Sequence, residues 1–174
     1  MFKRMLAFAA ALLVASAFLP IAAHSDTLAQ DGDPQFRVNL GAFFPSKDVS
    51  RQEADAWLHV GVEWMLGETE AMQGYVGEYG VSVAYYGTND IYSVPVLLCY
   101  HGAMNENWFY QVGAGVAFSK RLNGDRKNGF AWQAGVGYNV SAGTTPITII
   151  VQYNGATGTG EEHNGASVLA SFRF

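Results

Sequence analysis

The segment Val168-Leu169-Ala170-Ser171-Phe172-Arg173-Phe174 alternates without a break. Successive side chains of an extended strand point to opposite faces, so Val168, Ala170, Phe172 and Phe174 share one face. Leu169, Ser171 and Arg173 share the other. The same rhythm runs back through the chain. Phe36–Phe44, Trp57–Leu66, Gln73–Tyr86, Ile91–His101, Trp108–Lys120, Phe130–Val140 and Ile147–Asn154 alternate with period two, as does Ala166–Phe174. These segments are rich in Val, Tyr, Phe, Trp and Ile, and polar, Gly-rich breaks separate them. None sustains a 3.6-residue stripe. Tilted strands of about nine to eleven residues cross a bilayer. The chain is therefore expected to be all-β, an eight-stranded antiparallel up-and-down transmembrane β-barrel.

The alternation sorts residues into two sets. The apolar set holds Val38/Leu40/Ala42, Val60/Val62/Trp64, Val81/Val83/Tyr85, Val94/Val96/Leu98, Val112/Ala114/Val116, Trp132/Ala134/Val136 and Ile147/Ile149/Val151. The other holds Arg37/Asn39/Gly41, His59/Gly61/Glu63, Glu78/Gly80/Ser82, Gln111/Gly113/Gly115, Gln133/Gly135/Gly137, Thr148/Gln152 and Ser171/Arg173. A soluble barrel would turn the apolar set inward and load the other with Lys, Glu and Asp. Here the second set is mostly Gly, Ser, Asn and Gln, which suits the crowded interior of a narrow barrel. The apolar set is expected to face lipid.

Arg37, Glu63, Glu78 and Arg173 are then expected to form an interior polar network, because a buried charge without a partner is very costly. Arg37 and Arg173 lie on the first and last strands, which must be neighbours if the sheet closes. Arg37 and Glu63 are expected to meet across the first two strands. Aromatic pairs eight or ten residues apart (Phe36/Phe44, Tyr75/Tyr85, Tyr92/Tyr100, Trp108/Phe118, Phe130/Tyr138) predict two girdles at the membrane interfaces. Pro95 removes a ladder hydrogen bond in a sheet that has no edge, and a local bulge is expected there.

Tyr92-Ser93-Val94-Pro95-Val96-Leu97-Leu98, followed by Phe109-Tyr110-Gln111-Val112-Gly113-Ala114-Gly115-Val116, resembles the bacterial outer-membrane beta-barrel domain family. Members of that family show a V-P-V-type strand and then a strand of an aromatic with alternating glycines. The resemblance covers residues 92–118 closely and the rest of the mature chain loosely. It implies small eight-stranded OmpA/OmpX-type barrels, a porin-like family, and no single activity. The terminal strand is similar to the C-terminal assembly signal of outer-membrane barrels, which would be carried by Phe172 and Phe174.

Met1-Phe2-Lys3-Arg4 is a basic start, and Met5 to Ala23 is almost wholly apolar. This order reads as a secretory signal peptide over residues 1–23, with cleavage as late as 29 as the alternative. The alternative is an uncleaved anchor, against which Pro20 and the extreme N-terminal position argue. Residues 30–174 make one barrel domain. The whole chain has ten Lys and Arg against fifteen Asp and Glu, and losing Lys3 and Arg4 leaves eight basic residues. An acidic mature protein argues against nucleic acid as a partner. Cys99 is the only cysteine, so there is no internal disulfide framework, no Cys-rich metal site and no lipoprotein cysteine at the cleavage point.

With the N-terminus periplasmic, the connections 45–56, 87–90, 121–129 and 155–165 face outside. Lys120, Arg121, Arg126 and Lys127 form a basic patch that reads either as a contact for lipopolysaccharide phosphates or as a solvated loop, and the solvated loop is favoured. Glu161-Glu162-His163 is a weak chelate in a Gly-rich loop, also expected to be solvated. A lipid A deacylase would need a close His-x-Ser pair, and His163 and Ser167 have the wrong spacing. His59, Cys99 and His101 fall on the inward set and are expected to be packed interior groups. The sequence has no nucleophile elbow, phosphate loop or H-E-x-x-H. No catalytic residue, cofactor or metal is assigned. The expected role is non-enzymatic, structural or loop-mediated, in the outer membrane of a Gram-negative-type bacterium. The interior should be plugged by side chains. Partners would be outer-membrane lipids, the outer-membrane assembly machinery and an unknown loop partner. The alternatives are a lipid-modifying outer-membrane enzyme and a soluble periplasmic barrel binding an apolar ligand.

Overall fold

The computed structural model describes residues 35–70, 75–140 and 147–174. The expected export segment, with its cleavage points after Ala23 and Ala29, lies outside the described residues, as do Gln73 and the turn 141–146. The strands are β1 (Gln35–Pro45), β2 (Trp57–Glu70), β3 (Val76–Gly87), β4 (Tyr92–Ala103), β5 (Trp108–Lys120), β6 (Arg126–Val140), β7 (Ile147–Ala156) and β8 (Gly165–Arg173). A one-turn helix, α1 (Asp48–Arg51), lies between β1 and β2. The strands pair in chain order, every pair antiparallel, and β8 returns to β1 to close the barrel. Closure leaves no sheet edge with unpaired backbone groups.

The period-two pattern sets the two faces. Val83, Leu98, Val112, Val116, Val136, Val151 and Val168 are exposed on the outside, with Leu98 at 71%. Asn39, His59, Glu63, Ser82, Gln111, Gln133, Gln152 and Ser171 are buried in the lumen. The apolar set thus faces out and the small polar set faces in.

Aromatic rings gather on the outer surface near both ends. Phe36 stacks on Trp64 at 5.7 Å, Tyr100 packs by Tyr110 at 5.9 Å and Trp108 by Tyr138 at 5.0 Å. Toward the other rim Tyr85 stacks on Tyr92 at 5.8 Å and Trp132 on Tyr153 at 5.7 Å. Phe44, Phe118 and Phe130 extend that second belt.

The ladder accommodates Pro95 differently from expectation. β4 pairs with β5 through Pro95↔Ala117 without a shift. On the β3 side pairing stops after Val83↔Val96 and resumes at Tyr86↔Ser93 in the same register. Proline's missing donor therefore interrupts the ladder but does not bulge it. The bulge lies elsewhere, between Met65 and Gly67 of β2. It turns Gly67 to the outside beside Tyr79, and it sets Glu68 opposite Glu78. β6 also starts earlier than expected. A tight turn, in which Arg121 N donates to Asp125 O at 2.9 Å and Gly124 takes φ 85°, lets Arg126 pair with Lys120.

Candidate functional site

Three layers of side chains stand one above another in the lumen. At the rim that carries the connections 46–56, 88–91, 121–125 and 157–164, Phe43, Trp57, Tyr86 and Ile91 form an apolar cluster. Phe43 stacks on Tyr86 at 4.4 Å and lies 5.2 Å from Trp57. The 157–164 connection folds over this cluster. Ser50 Oγ donates to Glu162 O at 2.7 Å, and Trp57 meets the His163 ring edge-on at 6.3 Å.

Glu162 and His163 were expected in a solvated loop, but both are buried. Glu162 Oε1 accepts from Arg121 Nη2 at 2.6 Å and Nε at 3.0 Å, and its Oε2 accepts from Leu122 N at 3.2 Å. His163 Nε2 lies 3.0 Å from Lys120 O, which makes that nitrogen the donor. The Glu162 carboxylate holds the Arg121 side chain protonated even more firmly than usual, while burial pulls the His163 pKa below its ordinary value. Arg121 is therefore tied to the cap through Glu162, with its side chain still partly exposed. Four glycines and threonines at the start of this connection look like loop sequence.

The middle layer is a hydrogen-bonded set of neutral side chains. Gln111 Nε2 donates to Gln152 Oε1, and Gln152 Nε2 donates to Asn154 Oδ1 at 2.7 Å. Asn154 Nδ2 donates to Ser167 Oγ at 2.9 Å, and His59 Nδ1 lies 2.8 Å from the same hydroxyl. Since Ser167 already accepts from Asn154, its own proton is free to go to Nδ1, which makes His59 the acceptor. A His–Ser pair thus exists, between residues 108 apart in the chain. Both are at most 2% exposed, beneath the aromatic cluster and behind the sheet. The pair is packed inside the barrel, where Asn154 also donates to the same hydroxyl.

The third layer is charged. Arg37 and Arg173 both donate to the Glu78 carboxylate, across the lumen from β1 and β8 to β3. Arg37 also lies over the Phe109 ring at 5.8 Å, a cation–π distance. Arg37 does stand opposite Glu63 in the β1–β2 register. Its guanidinium nevertheless reaches Glu78, not Glu63. Glu63 sits instead 3.4 Å from His101 Nε2, with both side chains buried. A long arginine can cross a narrow lumen, whereas a directly opposite glutamate points along the same wall. Below this layer a cavity of about 460 Å³ opens, lined by Glu68, Phe109, Asn139, Thr148 and the two arginines among others. Phe172 sits between Val38 and Ile147 in the ladder, and Phe174 follows the last paired residue, Arg173. Among the described residues no group of three His, Cys, Asp or Glu side chains is placed to hold a metal ion.

No protein-family model matches the chain, and no curated protein matches it. Among solved structures, a de novo designed transmembrane beta-barrel is similar at 12% identity, with TM-score 0.49 and 83% of this chain and 98% of that chain covered. The designed barrel TMB2.3, solved by solution NMR, is similar at 10% identity, with TM-score 0.44 and coverage of 83% and 96%. Ail, the attachment invasion locus protein of Yersinia pestis, solved in complex with the heparin analogue sucrose octasulfate, is similar at 13% identity, with TM-score 0.38. That match covers 83% of this chain and all of Ail.

The interior site therefore consists of three layers, an aromatic cap, an amide layer and a charged layer, and several of its contacts join residues far apart in sequence. Cys99 is buried in the same wall, on the inward row of β4.

Proposed function

We propose that the chain is a non-enzymatic barrel of the outer membrane of a Gram-negative-type bacterium, related to the small OmpA/OmpX-type barrels, with a structural or loop-mediated role. The observation that carries this reading is the outer surface. Aliphatic side chains cover it on all eight strands between two belts of aromatic rings. Soluble monomers rarely expose an apolar patch beyond a few hundred Å². A bilayer supplies the missing apolar partner, and aromatic belts match its two interfaces. The aromatic cap, the amide layer and the charged layer support a plugged interior over a pore. The sealed His59–Ser167 pair argues against a lipid-modifying enzyme, and the wet-facing apolar surface argues against a soluble barrel.

On this reading residues 1–23 direct export, and Phe172 with Phe174 are read by the assembly machinery. The test is folding from urea into detergent micelles or into plain buffer. In micelles the chain should give a sheet-rich spectrum and a gel mobility that changes on boiling. A stable, monodisperse fold in buffer alone overturns the membrane assignment.

A further inference from the structure

We propose that Lys120 and Arg126 form a binding site for the headgroup of a membrane lipid that carries a phosphate monoester; this rests on the membrane reading above. The two residues are directly opposite in the β5–β6 ladder. Directly opposed like charges on one face are unfavourable, with Cβ atoms about 4.5–5.5 Å apart. Internal relief is limited to one long contact with an uncharged group, Lys120 Nζ donating to Asn89 O at 3.5 Å. Among the described residues neither cation has a carboxylate within ion-pair distance, and Asp125 is engaged by Asn123 Nδ2 at 2.9 Å. Arg121, next in the chain, is by contrast neutralised by Glu162. The unneutralised pair therefore has room for an anion from outside.

Position identifies the anion. Phe118 and Phe130 are outward residues of the same two strands, 48% and 53% exposed. Lys120 is the next outward residue after Phe118, about 6–7 Å further along the strand. Arg126 is two outward positions beyond Phe130. Both cations therefore sit just past the aromatic belt, at the depth where a bilayer places its phosphates and not its acyl chains. Tyr92 flanks Lys120 on β4, so the site has an aromatic wall on that side. The backbone is held rigidly: the 121–125 turn fixes the register, and His163 donates to Lys120 O from within the barrel.

The count of charges selects among lipids. A phosphate monoester carries about −1.5 to −2 at neutral pH. A phosphodiester carries a single charge and leaves one cation unpaired. Two adjacent cations on a rigid rung thus favour the monoester, and Arg126 can meet two of its oxygens in a fork.

The experiment uses the full folded chain in bilayer nanodiscs of phosphatidylcholine containing either phosphatidic acid, a monoester, or phosphatidylglycerol, a diester, with the same acyl chains. Native mass spectrometry after release counts the lipids retained. The parent should keep phosphatidic acid at least tenfold more often than phosphatidylglycerol. Lys120→Gln/Arg126→Gln should lose that preference while keeping the heat-sensitive gel shift of the parent. Lys47→Gln/Arg51→Gln, at another part of the same rim, should retain it, and excess inorganic phosphate should not displace the lipid. Equal retention of the two lipids by the parent, or an unchanged preference in the double variant, overturns the site alone. Displacement by inorganic phosphate overturns the lipid as its source. A chain that enters none of the bilayers overturns the membrane reading and the site together.

Discussion

Arg37 stands directly opposite Arg173 across the β1–β8 seam, and both guanidiniums donate to the single carboxylate of Glu78. Two cations on facing positions would push the seam apart. Glu78 reaches them from β3, so one acid ties together the strands that begin and end the barrel. Barrel closure and charge neutralisation are thus the same contact.

Removing two partners from this cluster should cost less than the two single removals added together. Arg37→Gln leaves Glu78 and the buried Glu63 with less compensation, and a loss of about 3–5 kcal/mol is expected for a broken buried pair. Glu78→Gln leaves the two arginines facing one another. The double change should cost less than the sum of the single changes. Urea unfolding in detergent measures this cycle. Coupling of Arg37 to Glu63 should be smaller than to Glu78, and equal couplings would contradict the contact across the lumen.

The 157–164 cap should loosen in acid. Burial lowers the folded-state pKa of His163 below its ordinary value of 6.5. The neutral ring is therefore favoured by folding. Its contribution is fully present above about pH 6.5 and is lost as pH falls through the lowered folded value. Trp57 touches the ring and reports on it. Its fluorescence, and protease cleavage within 157–164, should change below pH 6.5 in the parent. His163→Gln should remove that transition, and a transition that survives it would assign the effect to another group.

Gly41 should not tolerate a side chain. A Cβ there would lie 2.0 Å from Val168 O and 2.9 Å from Leu169 Cα, both backbone atoms of β8. Neither can rotate away, so Gly41→Ala must open the closure seam. The boiling-dependent gel shift should occur at a lower temperature in the variant, whereas Gly124→Asn, in a turn with open space, should leave it nearly unchanged.

Phe174 should matter more for assembly than for stability. It lies beyond the last paired residue of β8, where no ladder bond depends on its side chain. Deleting it should lower outer-membrane levels in cells by several-fold while refolding in detergent stays close to that of the parent. Equal levels in cells would count against an assembly signal at Phe172 and Phe174.

Strand count, strand spacing and the division of residues into outward and inward rows are legible in the sequence, because period two is a local property of each segment. Val112-Gly113-Ala114-Gly115-Val116 declares its two faces without reference to any other strand. Even the β1–β2 register, Arg37 opposite Glu63, follows from the loop between them. The tertiary structure alone decides which lumen side chains meet. Arg37 with Glu78, His59 with Ser167, and Arg121 with Glu162 each join residues at least 41 apart in the chain. Those contacts depend on closure, on strand stagger and on the reach of each side chain across a narrow lumen, and none of these is encoded in a local repeat. For the same reason Glu162 and His163 look like solvated loop residues in the sequence and are buried in the fold, where a connection that closes over an aromatic cluster removes them from water.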